Sequence, residues 1–367
     1  MKTLMILLVS LFTSYCAFTS KTTSAVENRD FKVEDLHSKD ETIWGFDFLP
    51  GDRIIFSERS GKMMVLDLKT KKTTEVQNVP KVYAVGQGGL LDVRVHPEFK
   101  QNGLIFFSYS ETVGTLATTA VMRAKLTDNK LSENKKIFTG HAPNDNDIHF
   151  GSRIEFDGRG HLFISMGDRD NREKAQDLSF HQGKVLRLSE DGSVPKDNPF
   201  TSDPKAKPEI WSFGHRNAQG LTRHPVTNEI WEAEMGPRGG DEINVLTPGK
   251  NYGWPMITYG REYYGPKIGE KSKAGMEQPL VYWVPSISPS NIAFYWGDKF
   301  PAWKHNLFIA TLSGNHLRRL VLDGHKVISQ EKLLGELDYR FRNVRTGPDG
   351  FVYLSTDEGK ILRLVPR

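Results

Sequence analysis

One short pattern returns six times along this chain and limits what it can fold into: a polar turn, an apolar strand, a second turn and another strand. The copies are FLPGDRIIFSERSGKMMVLDL from Phe48, HPEFKQNGLIFFSYS from His96, FDGRGHLFISMGD from Phe156, HPVTNEIWEAEMG from His224, FPAWKHNLFIATLSG from Phe300 and GPDGFVYLSTDEGKILRLV from Gly347. Each opens on turn formers and runs on in β-branched and aromatic residues, so each reads as an antiparallel hairpin. Helical periodicity is almost absent. Such a hairpin supplies the middle of a small sheet, and six sheets set radially protect their own strand edges. The predicted fold is all-β, a six-bladed β-propeller over residues 41–367, with a β-sandwich of similar hairpins as the alternative.

The start of the chain obeys a different grammar. Lys2 is a short positive region, Leu4 to Phe12 is an apolar run too short to span a bilayer, and small residues follow. This predicts a secretory signal peptide over residues 1–20 and a periplasmic or secreted protein. Residues 21–40 predict a tether or an N-terminal strand, with strand character from Phe31 to Leu36. Cys16 is the single cysteine. It lies near the cleavage region and is a candidate lipid anchor, although the bulky Tyr15 before it disfavours that processing. Loss of the leader leaves no disulfide framework. No later run predicts a membrane span. A net charge of +4, with both signs interspersed and no basic block carrying aromatics, argues against a nucleic-acid partner.

In a propeller, the loops before the innermost strands open on one face, together with the loops between second and third strands. That face collects Gln87, His149, Arg216, Asn217, Arg340 and Arg342. It also collects the turn Gly236-Pro237, whose carbonyls suit a hard cation such as calcium. Guanidinium groups fit carboxylates or phosphates bidentately and together need an anion to answer them. A neutral His takes a proton near neutral pH. The sum is a polyanion on a metal with a base beside it. Taken singly, each residue reads as a polar loop residue or a bridge between blades. The acidic stretch APNDNDIH from Ala142 lacks the glycine and terminal Glu of an EF-hand loop and reads as a solvated loop shaping the approach to His149.

The segments QGGLLDVRVHPEF, HFGSRIEFDGRGHLFISMGDR, SFGHRNAQGL, EMGPRGGDEIN and NYGWP resemble the soluble aldose sugar dehydrogenases that use pyrroloquinoline quinone, in the glucose/sorbosone dehydrogenase family. The resemblance runs from about Thr42 to Arg363 and implies a six-bladed propeller that oxidises an aldose at C1 to a lactone. It implies hydride transfer to a tricarboxylic quinone seated on calcium, and an external electron acceptor. By the same resemblance His149 is the base and Arg342 polarises the quinone. Arg216, Asn217 and Arg340 hold the cofactor, Gln87 lies near the reacting hydroxyl, and Gly236 and Pro237 ligate calcium. Trp283 walls the sugar site, and a second, structural calcium lies around Tyr252 to Tyr264. The chain departs from the family at two places. Ile148 stands where an Asp precedes the His, with Asp147 one step earlier, and Ser313 or Asn315 stands where a cofactor-contacting Lys is often found. Two alternatives stay open: a calcium-dependent propeller lactonase or hydrolase, and a secreted non-enzymatic propeller that binds partners or carbohydrate.

Overall fold

The computed structural model describes residues 30–367. The expected signal peptide and Cys16 lie outside the described residues. Six four-stranded antiparallel sheets account for all the named strands. The first blade runs Ile43–Leu49, Arg53–Glu58, Met63–Asp67 and Thr73–Glu75, from the axis outwards. The second is Leu90–Val95, Leu104–Val113, Leu116–Thr127 and Lys130–Thr139. The third is Ile154–Phe156, His161–Met166, Lys184–Ser189 and Ile210–Phe213. The fourth is Ala218–Arg223, Ile230–Glu234, Asp241–Leu246 and Val281–Trp283. The fifth is Pro289–Phe294, Leu307–Thr311, Leu317–Asp323 and Lys326–Leu333. The sixth takes Phe341–Thr346, Val352–Thr356 and Lys360–Pro366 from the end of the chain.

Its fourth strand comes from the other end. Phe31–Ser38 pairs antiparallel with Lys360–Pro366, Phe31 opposite Pro366 and Ser38 opposite Lys360. The part of the expected tether from Phe31 onward is thus the outer strand of the last blade. This pairing ties the two ends of the described chain together and closes the ring without leaving a blade incomplete. The six hairpins read from the sequence are the second and third strands of the six blades.

Apolar side chains fill the space between neighbouring blades. Trp231, Phe294, Leu307 and Ile309 join the fourth blade to the fifth, and Phe308, Leu317, Leu354 and Leu364 join the fifth to the sixth. Trp231 is fully buried, so Trp231→Ala costs about 3–5 kcal/mol through lost transfer energy and a cavity.

The inner strands ring a polar axis. There Arg153 and Asp92, both 0 % exposed, pair at 3.0 Å. Arg153 also donates to the carbonyls of Gln219 and Ser290, at 3.0 and 2.7 Å, and lies 4.2 Å from the Trp44 ring centre. Burial pushes its pKa down to about 10, partly offset by Asp92. A charge this deep is tolerated because its donors are answered. Among the described residues no helix is long and apolar enough to cross a membrane.

Candidate active site

The starts of the inner strands and the turn between the second and third strands of the fourth blade surround a cavity of about 950 Å³. Gln87, His149, Arg216, Asn217, Gly236, Pro237, Arg340 and Arg342 all line it. Residues spread over more than 250 positions of sequence meet because the starts of the inner strands and the Gly236-Pro237 turn open on the same face.

His149 is buried and held by two hydrogen bonds. Its backbone N–H donates to Gln87 Oε1 at 2.9 Å, and its Nδ1 lies 2.7 Å from Asp168 Oδ1. Its φ of 52° is left-handed, a conformation uncommon for a residue with a side chain. The carbonyl of His149 then lies against Gly167, where a Cβ would fall 2.0 Å from that oxygen. Only glycine lets the two segments approach so closely.

Asp168 is a candidate site residue that the sequence alone does not single out. It stands in the quoted segment FISMGDR, and the signal was its place just after the second strand of the third blade. Its Oδ2 accepts the indole N–H of Trp254 at 2.8 Å and its Oδ1 the backbone N–H of Asp170 at 2.9 Å. Burial pushes its pKa up, but the His149 hydrogen bond and charge, and the Arg216 charge, outweigh it and hold the carboxyl below its usual range. An ionised Asp168 fixes the proton of the neutral imidazole on Nδ1, leaving Nε2 as the acceptor.

Arg216 donates from Nη1 to the carbonyls of Met235 and Gly236, at 3.1 and 2.7 Å. Arg340 Nε and Arg342 Nε reach opposite oxygens of Asp357, at 2.9 and 2.8 Å. Asn217 is 2 % exposed. Its Oδ1 accepts from Gly151 N–H and Gln219 Nε2, each at 3.3 Å, but its amide N–H group finds only Met235 Sδ, at 4.0 Å. A buried amide donor facing a cavity with so weak a partner is arranged for an acceptor from outside.

The Gly236-Pro237 turn is braced by Asp241. Its Oδ1 accepts Gly236 N–H at 2.9 Å, and its Oδ2 accepts the N–H groups of Ile287 and Ser288 at 2.7 and 2.6 Å. At Gly236 a Cβ would fall 2.4 Å from the Gly239 carbonyl oxygen. Gly236 O has one lone pair engaged by Arg216, and Pro237 O has a single long contact from Ser286 Oγ at 3.4 Å. Both carbonyls retain capacity for a hard cation.

Trp283 requires a correction. It packs in the core between the fourth and fifth blades and donates Nε1 to Gln330 Oε1 at 3.0 Å. Strand alternation turns its neighbour Tyr282 outwards, and the wall of the mouth falls to Val284 and Pro285. Tyr263, 67 % exposed, lines the mouth instead. Ser313 also lines it, bonded to Ser288 Oγ at 2.7 Å, whereas Asn315 is turned to Asp338. Ile148 is half-buried, and its carbonyl accepts from Arg169, which also bonds Asn146 O and lies over Phe150. Arg169 thereby anchors the loop from Ala142 to His149. Beside Tyr252, His215, Glu232 and Glu234 bring ligand atoms within 4.8 Å of one another, and Glu232 Oε1 and Asn244 Oδ1 have no partner.

The Glucose / Sorbosone dehydrogenase family profile matches residues 40–363. The chain belongs to this family. It is 43 % identical over 345 residues to the aldose sugar dehydrogenase YliI of Escherichia coli (strain K12), covering 91 % of this chain and 93 % of that one. The soluble aldose sugar dehydrogenase of Escherichia coli in its apo-form superposes with a TM-score of 0.89 at 41 % identity, over 92 % of this chain and 100 % of that one. The PQQ-bound aldose sugar dehydrogenase of Streptomyces coelicolor gives 0.76 at 26 % identity, over 92 % and 98 %. The glucose/sorbosone dehydrogenase family thus accounts for nearly all the described chain, blades and mouth alike.

Proposed function

We propose that the chain oxidises aldoses at C1 to lactones, with pyrroloquinoline quinone resting on calcium in the mouth. The observation that carries this is the meeting of the His149–Asp168 pair with the arginine-rich wall in one cavity. When bound, the quinone supplies the acceptor for the C1 hydrogen and its electron pair. The protein's residues do the rest. His149 Nε2 takes the proton of the C1 hydroxyl, and Asp168 stabilises the imidazolium that forms. Arg216, Arg340 and Asn217 would hold the carboxylates of the quinone, and Arg342 would polarise it. Gln87 keeps an amide N–H group for the sugar or cofactor while its Oε1 fixes His149. The carbonyls of Gly236 and Pro237 would hold the calcium, and the buried acids beside Tyr252 offer donors for a second cation.

A hydrolase centred on carboxylates is disfavoured. Among the described residues the one acid lining the mouth is Asp357, and two arginines take it up. A binding module needs no buried carboxylate behind a histidine. The leader-like segment from Lys2 to Phe12 supports export, which places the reaction in the periplasm or outside the cell, with electrons leaving to an external carrier.

Purified apoprotein mixed with the quinone and calcium tests this reading. The bound quinone's absorption should change to that of its reduced form on adding an aldose. A chelator should abolish the reaction until calcium and quinone are both restored. Equal quinone binding in strong chelator would remove the calcium from the account.

A further inference from the structure

The mouth carries more positive charge than the cofactor answers. Among the described residues six arginines line it against one carboxylate. A tricarboxylate on a divalent cation carries a single negative charge in sum, so most of the excess outlasts cofactor binding. Three of the six are accounted for: Arg216 on the Gly236 turn, and Arg340 and Arg342 on Asp357. Arg59 braces the Gln87 loop through the carbonyls of Gly86 and Gly88, at 2.6 and 3.2 Å.

Arg238 and Arg261 remain. Their backbones bridge each other, with N–H to O distances of 3.1 and 3.3 Å in the two directions. The pair therefore stands side by side on the rim, Arg238 directly after Pro237. Both are exposed. The Arg238 side chain donates only to Tyr263 O, at 3.3 Å. Among the described residues neither guanidinium makes an ion pair. The adjacent acid, Glu262, is drawn away by Arg172 at 2.6 Å. A further backbone bridge joins Arg261 to Lys267, which adds a third cation to the same hairpin. Adjacent guanidinium groups in a concave site repel one another and form a ready fork for a carboxylate or phosphate. Tyr263 lines the same mouth beside this pair, with 67 % of its surface open, and an aromatic face suits the apolar face of a sugar ring.

We propose that Arg238 and Arg261 form a subsite for the anionic group of an acidic aldose, one bearing a carboxylate or phosphate remote from C1, with Tyr263 against its ring. This rests on the aldose-oxidising reading and names its substrate class. Both arginines face a concave mouth, which favours a small ligand over a protein.

The test uses the protein loaded with quinone and calcium and a small artificial acceptor. Rates are compared for glucose, glucuronate and glucose 6-phosphate at low and high salt. The expected result is a kcat/KM about tenfold or more higher for at least one acidic sugar than for glucose, carried by KM and shrinking with salt. The two acidic sugars distinguish a carboxylate site from a phosphate site. In Arg238→Gln/Arg261→Gln the preference ratio should fall about tenfold, and Arg238→Lys/Arg261→Lys should restore part of it. Calorimetric binding of methyl glucuronide, which has no free C1 hydroxyl, reads the subsite without turnover. It should bind wild type and not the Gln variant, even if no sugar is oxidised. Equal KM for all three sugars together with equal methyl glucuronide binding would overturn the proposal.

Discussion

His149 Nδ1 and Asp168 Oδ1 lie 2.7 Å apart, and the other oxygen of Asp168 is fixed by Trp254. The carboxylate therefore sets both the orientation and the tautomer of the imidazole. Asp168→Asn keeps the shape but can present its N–H group to the ring and favour the wrong tautomer. Sugar oxidation should fall, by no more than the worth of the base itself, about a hundred- to ten-thousand-fold. Quinone binding should persist. A fall in quinone affinity with an unchanged rate at saturation would place Asp168 in cofactor binding instead.

Arg216→Ala and Arg340→Ala should act on cofactor retention. Each removes charge-assisted bonds that exist before and during reaction, worth about tenfold or more in quinone affinity. Arg216→Ala should be the more severe, because Arg216 is buried and also holds the Gly236 carbonyl. Titration of quinone against activity checks this: the lost rate should return at high quinone. Normal quinone affinity with no recovery would assign these residues to catalysis or folding.

The acid limb of stability should report Asp357. Burial raises its pKa, but the charges and hydrogen bonds of Arg342 and Arg340 prevail and lower it. A carboxyl depressed in the fold contributes stability that is present above its unfolded pKa and lost as pH falls through the folded one. Asp357→Asn should destabilise the apoprotein by about 1.5–3 kcal/mol at neutral pH. Its denaturation midpoint should converge on the wild-type value as the medium is acidified. A gap independent of pH would show that the carboxylate charge is not what matters.

Much of this was legible in the sequence because a propeller repeats. The hairpin at Phe156 and the hairpin at Gly347 share a grammar, so the loops before their blades could be placed on one face, and His149 and Arg342 fell there together. The limits come from side-chain direction. Trp283 and Val284 are neighbours in sequence, yet one enters the interblade core and the other lines the mouth. Asp168 does not stand out in the sequence, because a carboxylate after a strand looks like any turn residue until the partner histidine, 19 positions earlier, is seen against it. The closing role of Phe31–Ser38 needed the partner strand 322 or more positions away.

The most direct measurement is the rate at which bound quinone is reduced by an aldose in a single turnover, in wild type and in His149→Ala. Both proteins should fold, bind quinone and bind calcium. The wild type should reduce its quinone within that single turnover. His149→Ala should be slower by about a hundred- to ten-thousand-fold. Reduction by His149→Ala at close to the wild-type rate would contradict the account, and a wild type that binds sugar and quinone without reducing the quinone would contradict it more deeply.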